Sequence, residues 1–194
     1  MIHDSKTVIY CSPSPLKQMD DKNRVNKARF SIIIVFSILA AMMFAAPYSL
    51  PPSSVKDLSG KVGVLDNQKV IEKMNPFAQV IYTIGDWNCH QMASRSLFLN
   101  GNQMPFCARD TGILLGAIIG MIFAIAFDPK FRWIYIVLGL VPLALDGGLQ
   151  LLTPYESTNE IRLLTGAIAG IAASLLLSHV AWTSLSISGE NKKK

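Results

Sequence analysis

The sequence predicts an all-α protein, an integral membrane helical bundle with four transmembrane helices and an amphipathic helix on its outer face. Three observations carry this. Of the 194 residues 51% are hydrophobic and 16% charged, values high for a soluble globule and ordinary for a small membrane protein. Four runs are long and apolar enough to consider as spans, residues 30–46, 111–127, 133–152 and 163–185. The Lys and Arg behind the net charge of +5 sit mainly beside those runs, which is the pattern of membrane topology rather than of a nucleic-acid-binding face. No nucleic-acid motif is present, so the bilayer is the expected partner.

Residues 1–29 read as a cytoplasmic tail, largely disordered, because "CSPSPLKQMDDKNR" is polar and broken by proline. Cys11 lies there and reads as an unpaired thiol in a reducing compartment. The first transmembrane helix is placed at 30–50. Its apolar core is near the lower limit of about 17 residues for a spanning helix. A cleaved secretory signal is the rival reading, but "MFAAPYSLPP" lacks a clean A-x-A site, which favours an uncleaved span.

Residues 51–110 read as an extracytoplasmic loop. "PYSLPPSSVKDLSG" is loop by its Pro and Ser content. Phe77, Val80, Ile81 and Ile84 then recur at helical spacing, with Asn75-Pro76 as the helix start. This helix is too short to span and is expected on the outer membrane surface or dipping between the spans. If it runs past Gly85, His90 and Ser94 share one face and Gln91 and Arg95 the next. "NGNQMP" is a turn. It folds Cys107 back toward Cys89.

Residues 111–185 form a three-helix membrane core and 186–194 a basic cytoplasmic tail. Gly112, Gly116 and Gly120 in the second span, and Gly166 and Gly170 in the fourth, are spaced for close helix approach. His179 reads as structural. Basic residues precede the first span, Lys130 and Arg132 link the second and third, and Lys192, Lys193 and Lys194 end the chain. The positive-inside rule puts these regions, and both termini, in the cytoplasm of a multi-pass cell-membrane protein.

Cys89 and Cys107 then face an environment that permits disulfides. A Cys89–Cys107 disulfide would close the hairpin and contribute about 3 kcal/mol for a loop of this size. The other reading is a metal site, zinc or another transition metal, with Cys89, His90 and Cys107 as ligands. A reactive or unpaired thiol is the third.

Asp146 lies inside the third span, roughly 9 Å from its outer end by helix rise. An ionisable group there costs about 2.5–3.5 kcal/mol on insertion scales and is a functional site by default. Gln150 is one turn on. Asp110 stands at the start of the second span and Glu160 at the start of the fourth, where "STNE" fits a capping box. These residues cap helices, yet two helix N-termini beside Arg109 and Arg162 also suit an anionic group such as a phosphate. Asp146 is expected to face the bundle interior and to belong to one polar cluster with the "CHQ" and "CARD" residues. Arg109 is its favoured partner, and Arg95 and His90 are the alternatives.

The chain resembles the prokaryotic predicted-membrane-protein family catalogued as domain of unknown function 2085. The resemblance rests on "CHQ" at 89–91, "RS" at 95–96, "PFCARDTG" at 105–112, "LDGGLQLL" at 145–152 and "ESTNEIRLLTGAIAG" at 156–170. It implies a small multi-span protein with that polar set as its signature, and no known reaction. Residues 1–75 are not covered, so the first span rests on hydropathy.

Two functions of different kind follow. One is a metal- or thiol-dependent membrane enzyme acting on a lipid or lipid-soluble group, with Asp146 and His90 as acid–base groups. Its binding residues would be Arg95, Arg109, Asp110, Gln150, Glu160 and Arg162. The other is a non-catalytic assembly or transport component with Cys89–Cys107 as a structural disulfide. No G-x-S-x-G, H-E-x-x-H or P-loop decides between them.

Overall fold

The computed structural model describes residues 15–191, with side chains from 18 to 185. Cys11 and Lys192, Lys193 and Lys194 lie outside the described residues. The chain runs α1 (Pro15–Tyr48), α2 (Gln68–Ile71), α3 (Pro76–Asn88), a 3-10 turn (Ala93–Arg95), β1 (Ser96–Leu99), β2 (Asn102–Cys107), α4 (Ala108–Phe127), α5 (Trp133–Leu152) and α6 (Asn159–Asn191).

Four of these helices have the length and apolarity to cross a membrane: Gln18–Tyr48, Ala108–Phe127, Trp133–Leu152 and Asn159–Leu185. A 20-residue helix rises about 30 Å, the thickness of a hydrocarbon core. The bundle of four spans is thus the predicted one, with earlier starts for the first, second and fourth. The polar stretch read as part of a disordered tail is helical from Pro15 onward. Proline is tolerated in a first helical turn, and "KQMDDKNRVNKAR" holds no Gly and a single β-branched residue, so nothing breaks the helix.

α4 and α6 pack most closely, and glycine is the reason. A Cβ on Gly112 would run into the Leu163 carbonyl, one on Gly116 into Ala167, and one on Gly170 into the Ile113 carbonyl. The partners advance together along both helices, so α4 and α6 run parallel with both N-termini at one end. α5 runs back antiparallel to them and rests on α6 where Gly139 meets Ala172. Apart from Gly139, the one residue α5 buries is Asp146. The rest of the helix presents leucine, valine and isoleucine outward, as a lipid-facing helix should.

The opposite end is clamped by Arg29. Its guanidinium is buried and reaches Asp128 at 2.9 Å, Ser178 Oγ at 2.9 Å and the Ala124 carbonyl at 3.1 Å. Asp128 caps α4 in a left-handed conformation, φ 44°. One side chain thus ties α1, α4 and α6. His179 stacks on Phe131 at the same end.

Residues 51–107 form a folded cap over the other end. Asn75 accepts from the Ala78 amide to start α3, as its Asn-Pro signature predicts. Ala78, Ile81 and Tyr82 join Ala46, Leu50, Val55 and Leu58 in a small apolar core. Phe77, Val80, Ile84 and Trp87 stay exposed on the other face of α3, which suits a helix lying at a membrane surface. The β1–β2 hairpin is a feature the sequence reading treated as loop. Asn100 and Gly101 carry positive φ, 53° and 70°, as a two-residue hairpin turn demands. Asn102 locks the hairpin to the cap: it accepts from the Ser54 and Val55 amides and donates to the Pro47 and Pro51 carbonyls.

Candidate functional site

α3 stops at Asn88, and Cys89 is extended, φ −135° and ψ 150°. This conformation separates neighbouring side chains to opposite sides. Cys89 turns inward and is buried, while His90 turns outward, exposed, with its Nδ1 on the Gly60 carbonyl at 3.0 Å. His90 therefore does not join the cysteines, which corrects its expected role as their co-ligand. The helical face expected for His90 and Ser94 is likewise absent, because the helix ends first.

Gln91, next in the chain, is fully buried at positive φ, 44°. Its carboxamide donates to the Pro105 carbonyl at 2.7 Å, and its own carbonyl accepts from Gln103. A side chain on Gly85 would occupy the same space as the Pro105 carbonyl. The "CHQ" stretch is thus pinned between α3 and β2, and Gln91 is the pin. Tyr82 donates to the Gln103 carbonyl at 2.6 Å, and burial pushes its phenol well above the ordinary value.

The hairpin returns Cys107 to Cys89. Cys107 ends β2 and is the N-cap position of α4, and Asp110 follows one helical turn later. The two sulfurs and a carboxylate oxygen of Asp110 all lie within 4.8 Å of one another. Cys107 Sγ donates to Asp110 Oδ2 at 3.2 Å. Both cysteines are free thiols. Asp110, expected as a helix cap or anion-site residue, takes the third place that His90 was expected to fill.

The thiols are not equivalent. Pairing with the Cys107 thiol is the largest influence on Cys89 and holds it below the ordinary value, against its burial and the Asp110 charge. Cys107 is pushed far up by the same pairing, by burial and by Asp110. Cys89 is thus the more acidic of the two thiols.

Beside the thiols lies an apolar cavity of about 460 Å³ between α1, α3 and α4. Met42, Met43, Ile84, Phe106 and Leu114 line it, and Asp110 and Asn88 are its polar groups. Asp110 thus faces both the cavity and the thiols.

A second polar group sits across the bundle. Arg109, next to Asp110 on α4, donates to Asp146 Oδ2 at 2.5 Å. Asp146 also accepts from Gln150 at 3.1 Å, and Gln150 accepts from the buried Arg162 at 2.9 Å. Arg162 donates on to the Ser94 carbonyl, and Asn159 to the Ser96 carbonyl. Asp146 faces the interior with Arg109 as partner, as expected. Its cluster takes in the arginine of "CARD" and none of the "CHQ" side chains. Arg95 lies within electrostatic range of Arg162 and makes no ion pair among the described residues. Glu160 is fully exposed and stands outside both groups. The start of α6 is capped by Thr158, whose hydroxyl accepts from the Ile161 amide at 3.4 Å, rather than by Ser157 as the capping-box pattern predicts.

The family model described as "Predicted membrane protein (DUF2085)" matches residues 89–176, which hold both polar groups. An uncharacterized protein of Methanocaldococcus jannaschii is 41% identical over 97 residues, 46% of this chain and 61% of that protein. The chain thus spans less than two thirds of that relative's length. A second uncharacterized protein, from Methanothermobacter thermautotrophicus, is 35% identical over 91 residues, 45% of this chain and 82% of that protein. No solved structure matches. With the polar signature, the four apolar helices and these relatives in agreement, the chain belongs to the DUF2085 family of predicted membrane proteins.

Proposed function

We propose that this integral membrane protein carries a thiol-dependent reactive centre, Cys89, Cys107 and Asp110, that acts on a lipid-soluble group admitted through the apolar cavity beside it. The observation that supports the reading is the convergence of two free thiols on a carboxylate, Asp110, that itself lines that cavity. Cys89 is the nucleophile, Cys107 its resolving or co-ligating partner, and Asp110 the proton acceptor, the place the sequence reading gave to His90. Asp146 anchors Arg109 and so orients the first turn of α4, on which Asp110 sits. By the positive-inside rule the centre lies at the extracytoplasmic face and both termini in the cytoplasm.

A metal reading has support of its own, since two thiolates and a carboxylate suit zinc and leave a fourth position open. One experiment separates the two. Purified wild type and Cys89→Ser are assayed for bound metal and, after reduction, for closure of an intramolecular disulfide by diamide. Thiol chemistry predicts closure in wild type without bound metal. Stoichiometric metal lost in Cys89→Ser favours the metal centre. Neither closure nor metal would leave the cysteines without a chemical role and refute the proposal.

A further inference from the structure

We propose that Cys89 and Cys107 form a two-electron redox pair whose electron acceptor is a quinone seated in the apolar cavity bounded by α1, α3 and α4. The inference rests on the thiol reading above and names its co-reactant. Two adjacent free thiols can surrender two electrons and two protons together, becoming one disulfide. Their acceptor has to reach a buried Cys89, 6% exposed, and a half-buried Cys107. Asp110, within 4.8 Å of both sulfurs, also lines a cavity of about 460 Å³ walled by methionine, leucine and phenylalanine. This admits an apolar ring and tail and disfavours a charged acceptor, which would leave water for a wall that cannot solvate it. Asn88 and Asp110 are the polar groups at its wall, placed to meet carbonyl or hydroxyl oxygens of the ring. Asp110 also accepts from Cys107 at 3.2 Å, so the proton path from thiol to ring runs through one carboxylate.

The step balances. The Cys89 thiolate adds to a ring carbon, forming an S–C bond and delivering an electron pair to the ring, whose oxygen takes up the proton that Cys89 released. Cys107, giving its proton to Asp110, attacks the Cys89 sulfur. The S–S bond forms, the S–C bond breaks, and its electron pair returns to the ring. Asp110 passes its proton to the ring system. Two thiols and one quinone become one disulfide and one hydroquinone. A second turnover needs an external dithiol to reduce the disulfide, so the pair would carry electrons from thiols to the membrane quinone pool.

The full chain is reconstituted in nanodiscs, fully reduced, freed of reductant and kept anaerobic. A short-tailed ubiquinone and a short-tailed naphthoquinone are the probes. Quinone absorbance and free thiols, counted by maleimide-polyethylene glycol gel shift, are followed together. Wild type should reduce one quinone and lose two thiols per protein with at least one probe, and Cys89→Ser and Cys107→Ser should reduce none. Leu114→Trp, which fills the cavity, should slow the quinone reaction about tenfold or more. Diamide gives the folding control: a Leu114→Trp protein that still closes its disulfide with diamide retains the thiol geometry. If diamide closes the disulfide in wild type while both quinones leave the thiols intact, the quinone inference is wrong and the thiol reading stands. If diamide also fails, both fall. Equal quinone rates in wild type and Leu114→Trp would overturn the cavity as the seat of the acceptor.

Discussion

Arg109 and Asp146 meet across 2.5 Å, joining the first turn of α4 to the last two turns of α5. Asp146 is the only residue besides a glycine that α5 buries, so this pair is the polar attachment of α5 to the bundle. Its charges have different surroundings: the aspartate side chain is 4% exposed, the arginine 28%.

Asp146→Asn should therefore destabilise the bundle. Removing one partner of a buried ion pair costs roughly 3–5 kcal/mol, and the partial exposure of Arg109 puts the expectation at the lower end. Replacing both residues with methionine should recover much of the loss, because no buried charge is then left unpaired. Unfolding midpoints in detergent check this. A double variant less stable than Asp146→Asn would contradict it.

Gly116→Ala should cost about 1–3 kcal/mol, since the new Cβ would overlap backbone of Ala167 and force α4 and α6 apart. Gly148 on α5 meets nothing within 4 Å, so Gly148→Ala should be neutral or stabilise by about 0.5–1 kcal/mol through helix propensity. The contrast is read as the difference in unfolding midpoint between the two alanine variants. Equal effects would mean that glycine's role is not close packing.

How much of this was legible in sequence depends on the range of the physics involved. The four spans are a local property of hydropathy, and their positions follow from it. The glycine spacing likewise announces close helix packing. The Arg109–Asp146 pair was also within reach, because a carboxylate at that depth has to find a cation. The chain reversal is legible in Asn100-Gly101, but its two strands are not, because "SLFL" and "NQMPFC" are too short to alternate convincingly. Asp110 in place of His90 depends on where α3 stops. That end is fixed by Gly85 against the Pro105 carbonyl and by the Gln91 pin, contacts between distant segments that no local pattern records. Arg29 reads as a flanking topology charge and turns out to be a buried clamp, because its acceptors lie 95 and 149 residues away.

Both termini are expected in the cytoplasm. Lys22, Lys27 and Arg29 precede the apolar part of α1, and Lys130 and Arg132 lie in the link between α4 and α5, at the same end of the bundle. Translocating such basic segments is disfavoured. A green fluorescent protein fused after Lys194 should fluoresce, and alkaline phosphatase at the same point should be inactive. The opposite pattern would invert the topology and move the thiol centre to the cytoplasmic face.

Cys89 is held below the ordinary thiol value by its pairing with Cys107, while the Asp110 charge works the other way and raises it. Alkylation requires the thiolate, so its rate should rise with pH and level off at a midpoint below the usual thiol value of about 8.5. Cys107 is pushed up, so it should stay unmodified across the same range. Each neighbour then has a signed effect. Asp110→Asn removes the opposing charge and should move the Cys89 midpoint further down, whereas Cys107→Ala removes the stabilising hydrogen bond and should move it up. Linkage gives stability the same sense: a group depressed in the folded state contributes stability above its unfolded value and loses it as pH falls through the folded one. The Cys89 contribution should thus grow from about pH 6 toward pH 9 and the raised Cys107 should work in the opposite sense, so the stability difference between reduced wild type and Cys89→Ala should widen over that range. Iodoacetamide labelling followed by mass spectrometry gives both midpoints. A Cys89 midpoint above that of Cys107, or an upward shift in Asp110→Asn, would show that the assignment of nucleophile and partner is reversed.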